Sequence, residues 1–476
     1  MLKTQNKYLK HAGLLLKRAK NNLFNTSNFQ NGQPVSLSPE TIAEYNKNRY
    51  YGNQKYVCLA PFNSMFLSIN GNVYACNLNR KFVLGNIKTM SLSEIWNGQK
   101  TKNLREHIAN ADLNHGCEKC LLNIKNKNFD ASTSSHYDYV GYDANTQFPL
   151  RIDFEISNIC NLGCVMCCST FSSTIQKEIK NEKLTKTHYN KNILEDLRQF
   201  IPHLKFMNFS GGEPFMNNLY FDIWEMTAEL NKDCQVHIQT NGTIMNEKVE
   251  DILNKHRFNI GISIDSLQKV TYDNIRLFSD FDKRQSILQQ LTNYCHKNKT
   301  TLTYSFCLLK KNAMEIPEFL AYANLNNAVL YLSPVFEPYE EAIWNLPIEE
   351  LESLKQHYLS YKTESKNDIQ TKNNIHYKQF ILQLDVWINR QKTKNDFLSK
   401  NDFNSEEIIQ HTKEKLKKYF DNYTEINGQI SEDELECFNY LDKVFIEKNI
   451  EKMDALRNMI LENEERIYNQ VKYYWI

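Results

Sequence analysis

The run Ile159-Cys160-Asn161-Leu162-Gly163-Cys164-Val165-Met166-Cys167-Cys168 constrains this chain more than any other stretch. Its thiols stand at the spacing C-x3-C-x2-C, which lets one short loop wrap three corners of an iron–sulfur cubane, because such clusters are held by cysteine thiolates. Three ligands on a four-iron cubane leave one iron open to a small molecule. A structural zinc site competes with this reading, although zinc prefers four closed ligands, usually as C-x2-4-C pairs. Three small buried hydrophobes are the other alternative. Cys168 is a spare thiol directly after Cys167, and spacing favours Cys167 as the ligand.

With Asn161 after its first cysteine, the run resembles the signature of the radical S-adenosylmethionine (radical SAM) superfamily. The resemblance implies that Cys160, Cys164 and Cys167 hold a catalytic [4Fe–4S] cluster. It also implies that the open iron is chelated by the amino and carboxylate groups of S-adenosylmethionine. Met166 stands where the superfamily usually has an aromatic residue, and it is expected beside the adenine.

At 476 residues the chain has room for about two or three domains. Its 57 basic and 56 acidic side chains balance, which removes any global electrostatic case for nucleic acid or an anionic membrane. No stretch approaches the roughly 18 apolar residues of a membrane span, and Met1 to Phe24 lacks the features of a signal peptide. Of the twelve cysteines, eight fall between Cys58 and Cys168, a clustering that suggests metal ligation in a reducing compartment. A cytoplasmic protein is expected.

Residues 1–55 suggest a helical lead-in and a polar loop around Asn31-Gly32-Gln33-Pro34. From Cys58 the pattern sharpens. Phe66 to Ile69 reads as a strand, Asn70-Gly71 as a tight hairpin turn and Val73 to Cys76 as the return strand. A helix-like Ser91 to Asn97 and the pair Cys117-Glu118-Lys119-Cys120 follow. This ordered set resembles the SPASM/twitch auxiliary-cluster domain, here over 56–125. The resemblance implies that Cys58, Cys76, Cys117 and Cys120 ligate a second [4Fe–4S] cluster; a four-cysteine zinc site is the alternative. Residues 126–149, with the polar stretch Asp130 to Ser135, are expected to be a linker loop.

Residues 150–340 alternate strand and helix as parallel α/β units do. The expected strands are Leu150–Ile156, Lys205–Phe209, Gln235–Gln239, Asn259–Ile264, Thr301–Leu308 and Ala328–Ser333. Six such units resemble the partial (β/α)6 TIM barrel of radical SAM cores. Each informative motif lies at a strand's carboxyl end, where parallel α/β folds place function. Ser210-Gly211-Gly212-Glu213-Pro214 resembles the family's GGEP motif, implying that Gly211, Gly212 and Glu213 hold the methionine amino group and that Pro214 belongs to the same cofactor-binding turn. Thr240-Asn241-Gly242-Thr243 resembles its TNG turn. Ser263 and Asp265 are similar to residues reaching the cofactor's ribose and carboxylate, and helix capping is their other use. Tyr272, Asn274 and Arg276 follow a related pattern, with Arg276 the cationic candidate for a carboxylate contact. Alternation in the fifth strand puts Tyr304 and Phe306 on one face and Ser305 and Cys307 on the other. Cys307 is therefore a candidate hydrogen-atom donor or simply a small buried hydrophobe.

Residues 341–476 read as a helical extension, with a buried helix at Tyr377 to Ile388 and a charged amphipathic one from Glu447 to Asn469. The closing Tyr473-Tyr474-Trp475 is left between packing and disorder. The resemblance implies an α/β enzyme that takes an electron from flavodoxin or ferredoxin and cleaves S-adenosylmethionine to a 5′-deoxyadenosyl radical. It would then oxidise a peptide or protein substrate, as maturases of ribosomally made peptides do. A small-molecule enzyme acting on an amino sugar or nucleotide is the second reading, and a non-catalytic iron–sulfur electron carrier the third.

Overall fold

The computed structural model describes residues 37–129, 132–142, 147–185, 188–189, 192–401, 403–427 and 433–475. The expected lead-in and the Asn31–Pro34 loop lie outside them. The described residues hold eleven strands: β1 (Ser64–Ser68), β2 (Asn72–Tyr74), β3 (Gly85–Asn86), β4 (Arg151–Glu155), β5 (Gly163–Cys164), β6 (Phe206–Phe209), β7 (Gln235–Thr240), β8 (Phe258–Ser263), β9 (Arg276–Leu277), β10 (Leu302–Leu308) and β11 (Val329–Pro334). All six strands expected of the α/β region are present, each within one residue of its expected ends. The chain forms two compact units. The first comprises the described parts of 1–160, 184–261 and 293–301, the second those of 161–183, 262–292 and 302–476.

In the first unit β4, β6 and β7 run parallel, with Ile152 opposite Met207 and Met207 opposite Val236. Parallel neighbours need long crossovers. The helices Asn192–Phe200 and Asn218–Leu230 lie on the connections between these strands. β1 pairs in parallel with β4 on its other side, Ser64 opposite Arg151 through Ser68 opposite Glu155. The cysteine-bearing hairpin therefore continues the sheet of the α/β region. All five β1 residues are buried, as befits a strand flanked by β2 and β4. Gly71, at φ +84°, makes the turn between β1 and β2.

The segment expected as a linker is packed. Asn63 Nδ2 donates to the carbonyls of Tyr137 and Gly141, both at 2.8 Å. The buried Arg49 Nε donates to Asp138 Oδ2 at 2.7 Å, which ties the helix Pro39–Asn48 to the same stretch. Behind the sheet, Phe154 stacks on Phe209 at 4.6 Å, and Phe209 meets Trp224 edge-on at 5.4 Å. Tyr220, fully buried beside them, donates its hydroxyl to Ser210 O at 2.8 Å and accepts from Ile156 N at 3.1 Å. One phenol thus holds the carboxyl ends of β4 and β6 in register.

In the second unit β10 and β11 are parallel, Thr303 opposite Val329, and Ile264 N donates to Ser305 O at 2.9 Å. β10 alternates buried and half-buried residues as expected, with Cys307 on the half-buried face. The extension is helical, and its longest helix, Asp368–Lys400, includes the expected buried stretch. The single helix expected over Glu447–Asn469 is interrupted. Lys448 is left-handed at φ +49°, and Asn449 and Asn463 each cap a new helix, Ile450–Asn458 and Glu464–Asn469. Asn side chains that bond nearby backbone N–H groups compete with helix continuation in this way. No described helix is long and apolar enough to cross a membrane.

Replacing Tyr220 with Phe leaves Ser210 O and Ile156 N without this partner, which should cost about 2 kcal/mol in urea unfolding. Unchanged stability would show that the phenol does not hold these two strand ends.

Candidate functional site

In each unit, residues singled out from the sequence come together. In the first, Gly211 (φ +81°) and Gly212 (φ +59°) follow β6 in the left-handed region that favours glycine. A Cβ on Gly212 would lie 2.3 Å from Ile159 O, and one on Gly211 would lie 2.9 Å from Glu155 Cγ. The close approach that requires glycine is therefore made to the chain entering the cysteine run, where the motif alone suggested approach to a ligand. Glu213 N donates to Ile159 O at 2.7 Å. Its carboxylate, fully buried, accepts from Phe215 N (3.1 Å), Thr240 Oγ1 (2.8 Å) and Asn241 N (2.7 Å). The carboxylate has about four acceptor positions, so the chain itself takes up most of them. Pro214 is buried and opens the short turn Pro214–Met216. Asn241 points its Nδ2 at Cys160 Sγ, 4.0 Å away.

In the second unit a two-residue ladder that no periodicity revealed pairs β5 with β9, placing Cys164 opposite Arg276. Arg276 Nη1 donates to Cys164 Sγ at 3.7 Å, and Nη2 stands 2.5 Å from Asp265 Oδ2. Burial works against the guanidinium charge, but Asp265 and then Cys164 outweigh it and raise its pKa. The contact with Asp265 lacks hydrogen-bond geometry, so Asp265 Oδ2 and Arg276 Nε are buried without a hydrogen-bond partner among the described residues. Asp265, left-handed at φ +56°, accepts from Cys307 N at 2.6 Å through Oδ1. Burial, with Asp265 adding to it, pushes the Cys307 thiol above its ordinary range. Met166 packs with Val165 and Cys307 against Ile275, Leu309 and Val335. Ser263 is half-buried at the end of β8, Tyr272 is buried, and Asn274 is exposed.

Three contributors here were not identified from the sequence. Asn312 Nδ2 donates to Asp265 O (2.8 Å) and Cys307 O (2.9 Å), tying two loops together. The buried Arg284 donates to Ile264 O and Ser266 O, both at 3.1 Å, and lies over the Tyr272 ring. Tyr474 donates its hydroxyl to Met166 O at 3.2 Å, so the closing aromatic segment packs on the cysteine run. Arg284 and Tyr474 sit many residues from the segments they support, and Asn312, though close to Cys307 in the chain, reaches Asp265 from far along it.

The second cysteine group lies in the first unit. Burial raises the Cys58 and Cys117 thiols well above their usual range, and the neighbouring thiols push them further. Cys76 is pushed up to about 11, chiefly by burial. Such mutual effects require the thiols to converge. Among the described residues, however, only His107, Asp112 and His115 bring three ligand atoms within 4.8 Å of one another. Four thiolates on zinc at 2.3 Å would stand about 3.8 Å apart, so the wider spacing suits a cubane better. Asn79 N donates to Cys76 Sγ and its Nδ2 to Cys117 Sγ, both at 3.3 Å. A Cβ on Gly116 (φ +78°) would lie 2.0 Å from Asn79 Oδ1, which explains the glycine next to Cys117. Asn79 also escaped the sequence reading.

Both donor sets fit iron–sulfur ligation. Thiols that receive N–H bonds are stabilised as thiolates, and the two orphaned atoms at Asp265 and Arg276 can be satisfied by the polar end of a bound amino acid. Gly212→Ala should lose at least about 1–2 kcal/mol in urea unfolding from the left-handed backbone alone, with faster hydrogen exchange at residues 158–160. Wild-type stability and exchange would contradict the close contact with Ile159.

Residues 154–323, from β4 through the helix Ile316–Leu325, match the family model of the radical SAM superfamily, and residues 58–121 match SPASM, an iron–sulfur cluster-binding domain. Mycofactocin maturase from Mycolicibacterium smegmatis is 25% identical over 187 residues, 39% of this chain and 44% of that protein. The S-adenosyl-L-methionine-dependent 2-deoxy-scyllo-inosamine dehydrogenase of Niallia circulans is 32% identical over 90 residues, 17% of this chain and 32% of that protein. This chain thus spans less than half the length of these two curated relatives. The crystal structure of Streptococcus suis SuiB bound to its precursor peptide SuiA is 15% identical over 57% of this chain and 61% of that one, with a TM-score of 0.34. The matched domains carry a [4Fe–4S] cluster with S-adenosylmethionine in the core and auxiliary iron–sulfur ligation in the module. The motifs, the parallel α/β units and the two cysteine groups therefore identify residues 154–323 as a radical SAM domain, preceded by a SPASM iron–sulfur domain at residues 58–121.

Proposed function

We propose that this radical SAM enzyme oxidises a side chain of a peptide or protein. The observation that carries the reading is the second group of four converging thiols, Cys58, Cys76, Cys117 and Cys120, in the domain ahead of the core. A fully ligated auxiliary cluster there provides a second acceptor for an electron leaving an oxidised substrate. The match to mycofactocin maturase favours a peptide.

In this reading Cys160, Cys164 and Cys167 hold the cluster of the core, while Met166, Gly211, Gly212, Glu213, Pro214, Asn241, Ser263, Asp265 and Arg276 surround S-adenosylmethionine. The bound group supplies hydrogen-atom abstraction from an unactivated carbon. The chain's own residues bind and orient. Asn241 and Arg276 donate N–H bonds to the sulfurs of Cys160 and Cys164, a contact that tunes iron–sulfur potentials. Glu213 fixes the loop that carries Asn241. Arg276 balances the charge of Asp265 and has Nε free for a carboxylate. Cys307, kept protonated by burial, takes no part in that two-electron oxidation, which a returned hydrogen atom would undo; it is the candidate hydrogen-atom donor only for a redox-neutral epimerisation. A small reductant such as flavodoxin or ferredoxin supplies the first electron.

The match to the inosamine dehydrogenase supports a second reading, oxidation of a small amino sugar or nucleotide. Anaerobically reconstituted protein should bind about eight irons, falling to about four when either cysteine group is replaced by alanine. Incubated with S-adenosylmethionine and dithionite, wild type should yield a peptide product two hydrogens lighter. The auxiliary-cysteine variant should still cleave S-adenosylmethionine but form no such product. Conversion of amino sugars in place of peptides would support the second reading, and absence of S-adenosylmethionine cleavage would leave only an electron carrier. Cys307→Ala should retain oxidation and lose any epimerisation.

Asn79→Leu removes the side-chain N–H···S contact to Cys117, leaving the backbone one to Cys76, and should lower the midpoint potential of the auxiliary cluster at unchanged iron content. An EPR-monitored redox titration that finds no shift would remove Asn79 from that role.

A further inference from the structure

Just ahead of Cys117, where the helix Gln99–Ala109 gives way to the turn 110–117, two imidazoles and a carboxylate converge. The chain leaves the helix through Ala111, left-handed at φ +57°, and Asp112 N donates back to His107 O at 2.9 Å. That reversal sets Asp112 beside His107, with Oδ2 2.8 Å from His107 Nδ1. Leu113 is buried and anchors the turn. His115 Nε2 then stands 3.2 Å from the same Asp112 oxygen. The two imidazole rings lie 3.7 Å apart between centroids, tilted by 34°.

A metal site is judged by its ligands, their spacing, their outer support and a path for the ion. Two imidazoles and a carboxylate are a donor set that suits zinc and other divalent first-row ions. Ligand atoms about 2.1 Å from zinc stand roughly 3.0–3.4 Å apart, from right-angled to tetrahedral geometry. The observed 2.8 and 3.2 Å need only small shifts to admit the ion. Asp112 Oδ1, the other oxygen, accepts from Asn114 N at 3.0 Å and Asn114 Nδ2 at 2.7 Å, so the carboxylate is already oriented. The side chains of His107, Asp112 and His115 are 35, 31 and 33% exposed, which leaves a path for the ion and room for a water as fourth ligand. Hydrogen bonds from both rings to the one oxygen are the competing arrangement.

The turn also bears on the auxiliary cysteines. Asn79 Nδ2 donates to His115 O at 2.8 Å and to Cys117 Sγ at 3.3 Å, so one amide ties His115 to Cys117. We propose that His107, Asp112 and His115 bind a divalent metal ion, zinc, apart from both cysteine groups, and that the ion clamps the turn 110–117 so that Cys117 is held in place for its cluster. The ion's role is structural and independent of which substrate the core oxidises.

The test uses the reconstituted holoenzyme, whose cysteine groups are already filled with iron. It is equilibrated anaerobically with a small excess of Zn²⁺ and freed of unbound ion by gel filtration. Metal analysis should find about one zinc per chain at unchanged iron, and zinc K-edge absorption should show imidazole scattering with nitrogen and oxygen ligands at about 2.0–2.1 Å. Replacing both histidines, His107→Gln with His115→Gln, should lower bound zinc at least about tenfold. Zinc should slow hydrogen exchange over residues 110–117 in wild type and leave it unchanged in the double variant. No zinc retained, zinc–sulfur scattering at about 2.3 Å, or full zinc occupancy in the double variant would overturn the site. Bound zinc with unaltered exchange would overturn the clamp. If the double variant also loses iron, the ligand set seen at the wild-type zinc edge decides the matter, because it distinguishes imidazole from thiolate without any substitution.

Discussion

The ends of β6 and β7 depend on a carboxylate that solvent does not reach. Glu213 is fully buried, and an ionised carboxylate taken out of water is strongly disfavoured unless hydrogen bonds replace its hydration. Thr240 Oγ1 and the amides of Phe215 and Asn241 supply those bonds. This requirement fixes more than one residue. It holds the turn after β7 so that Asn241 faces Cys160, and the Glu213 amide in turn fixes the chain just before that cysteine. Gly211 and Gly212 are needed because this loop runs against Glu155 and Ile159 with no room for a Cβ.

The second unit uses the same physics. Asp265 adopts a left-handed backbone and is held by Cys307 N, by Asn312 through its carbonyl and by Arg276. Arg276 owes its position to the short β5–β9 ladder, which also sets it beside Cys164. Apolar packing contributes through Met166, Ile275, Leu309 and Val335. Burial is non-directional, whereas charge and hydrogen bonding define which atom faces which. The side chains nearest the cysteines are consequently held by polar contacts, with the apolar cluster behind them.

The iron–sulfur module is joined to the α/β region through its backbone. Because β1 continues the sheet beyond β4, its hairpin and the packed stretch around Tyr137 and Asp138 share one scaffold with the first strand of the core. Asn79 then serves two of the four thiols at once, which the absence of a side chain at Gly116 permits.

Local chemistry made much of this legible. The six α/β strands follow from runs of β-branched and aromatic residues between helical stretches, and each observed strand lies within one residue of its expected ends. Cysteine spacing, the Gly-Gly-Glu-Pro run and the Asn-Gly turn likewise announce their chemistry over a few neighbouring positions. The Lys448–Asn449 break was misread because one capping side chain can override helical periodicity without disturbing the apolar pattern. The β5–β9 ladder is too short to have a period, and β1 meets β4 from far along the chain. By itself, then, the sequence determined the elements, the family and the residue types that can hold metal and cofactor. Tertiary structure alone decided that Glu213 is largely consumed by its own chain and that Arg276 is shared between Asp265 and Cys164. Those outcomes depend on burial and on neighbours distant along the chain, which no local pattern records.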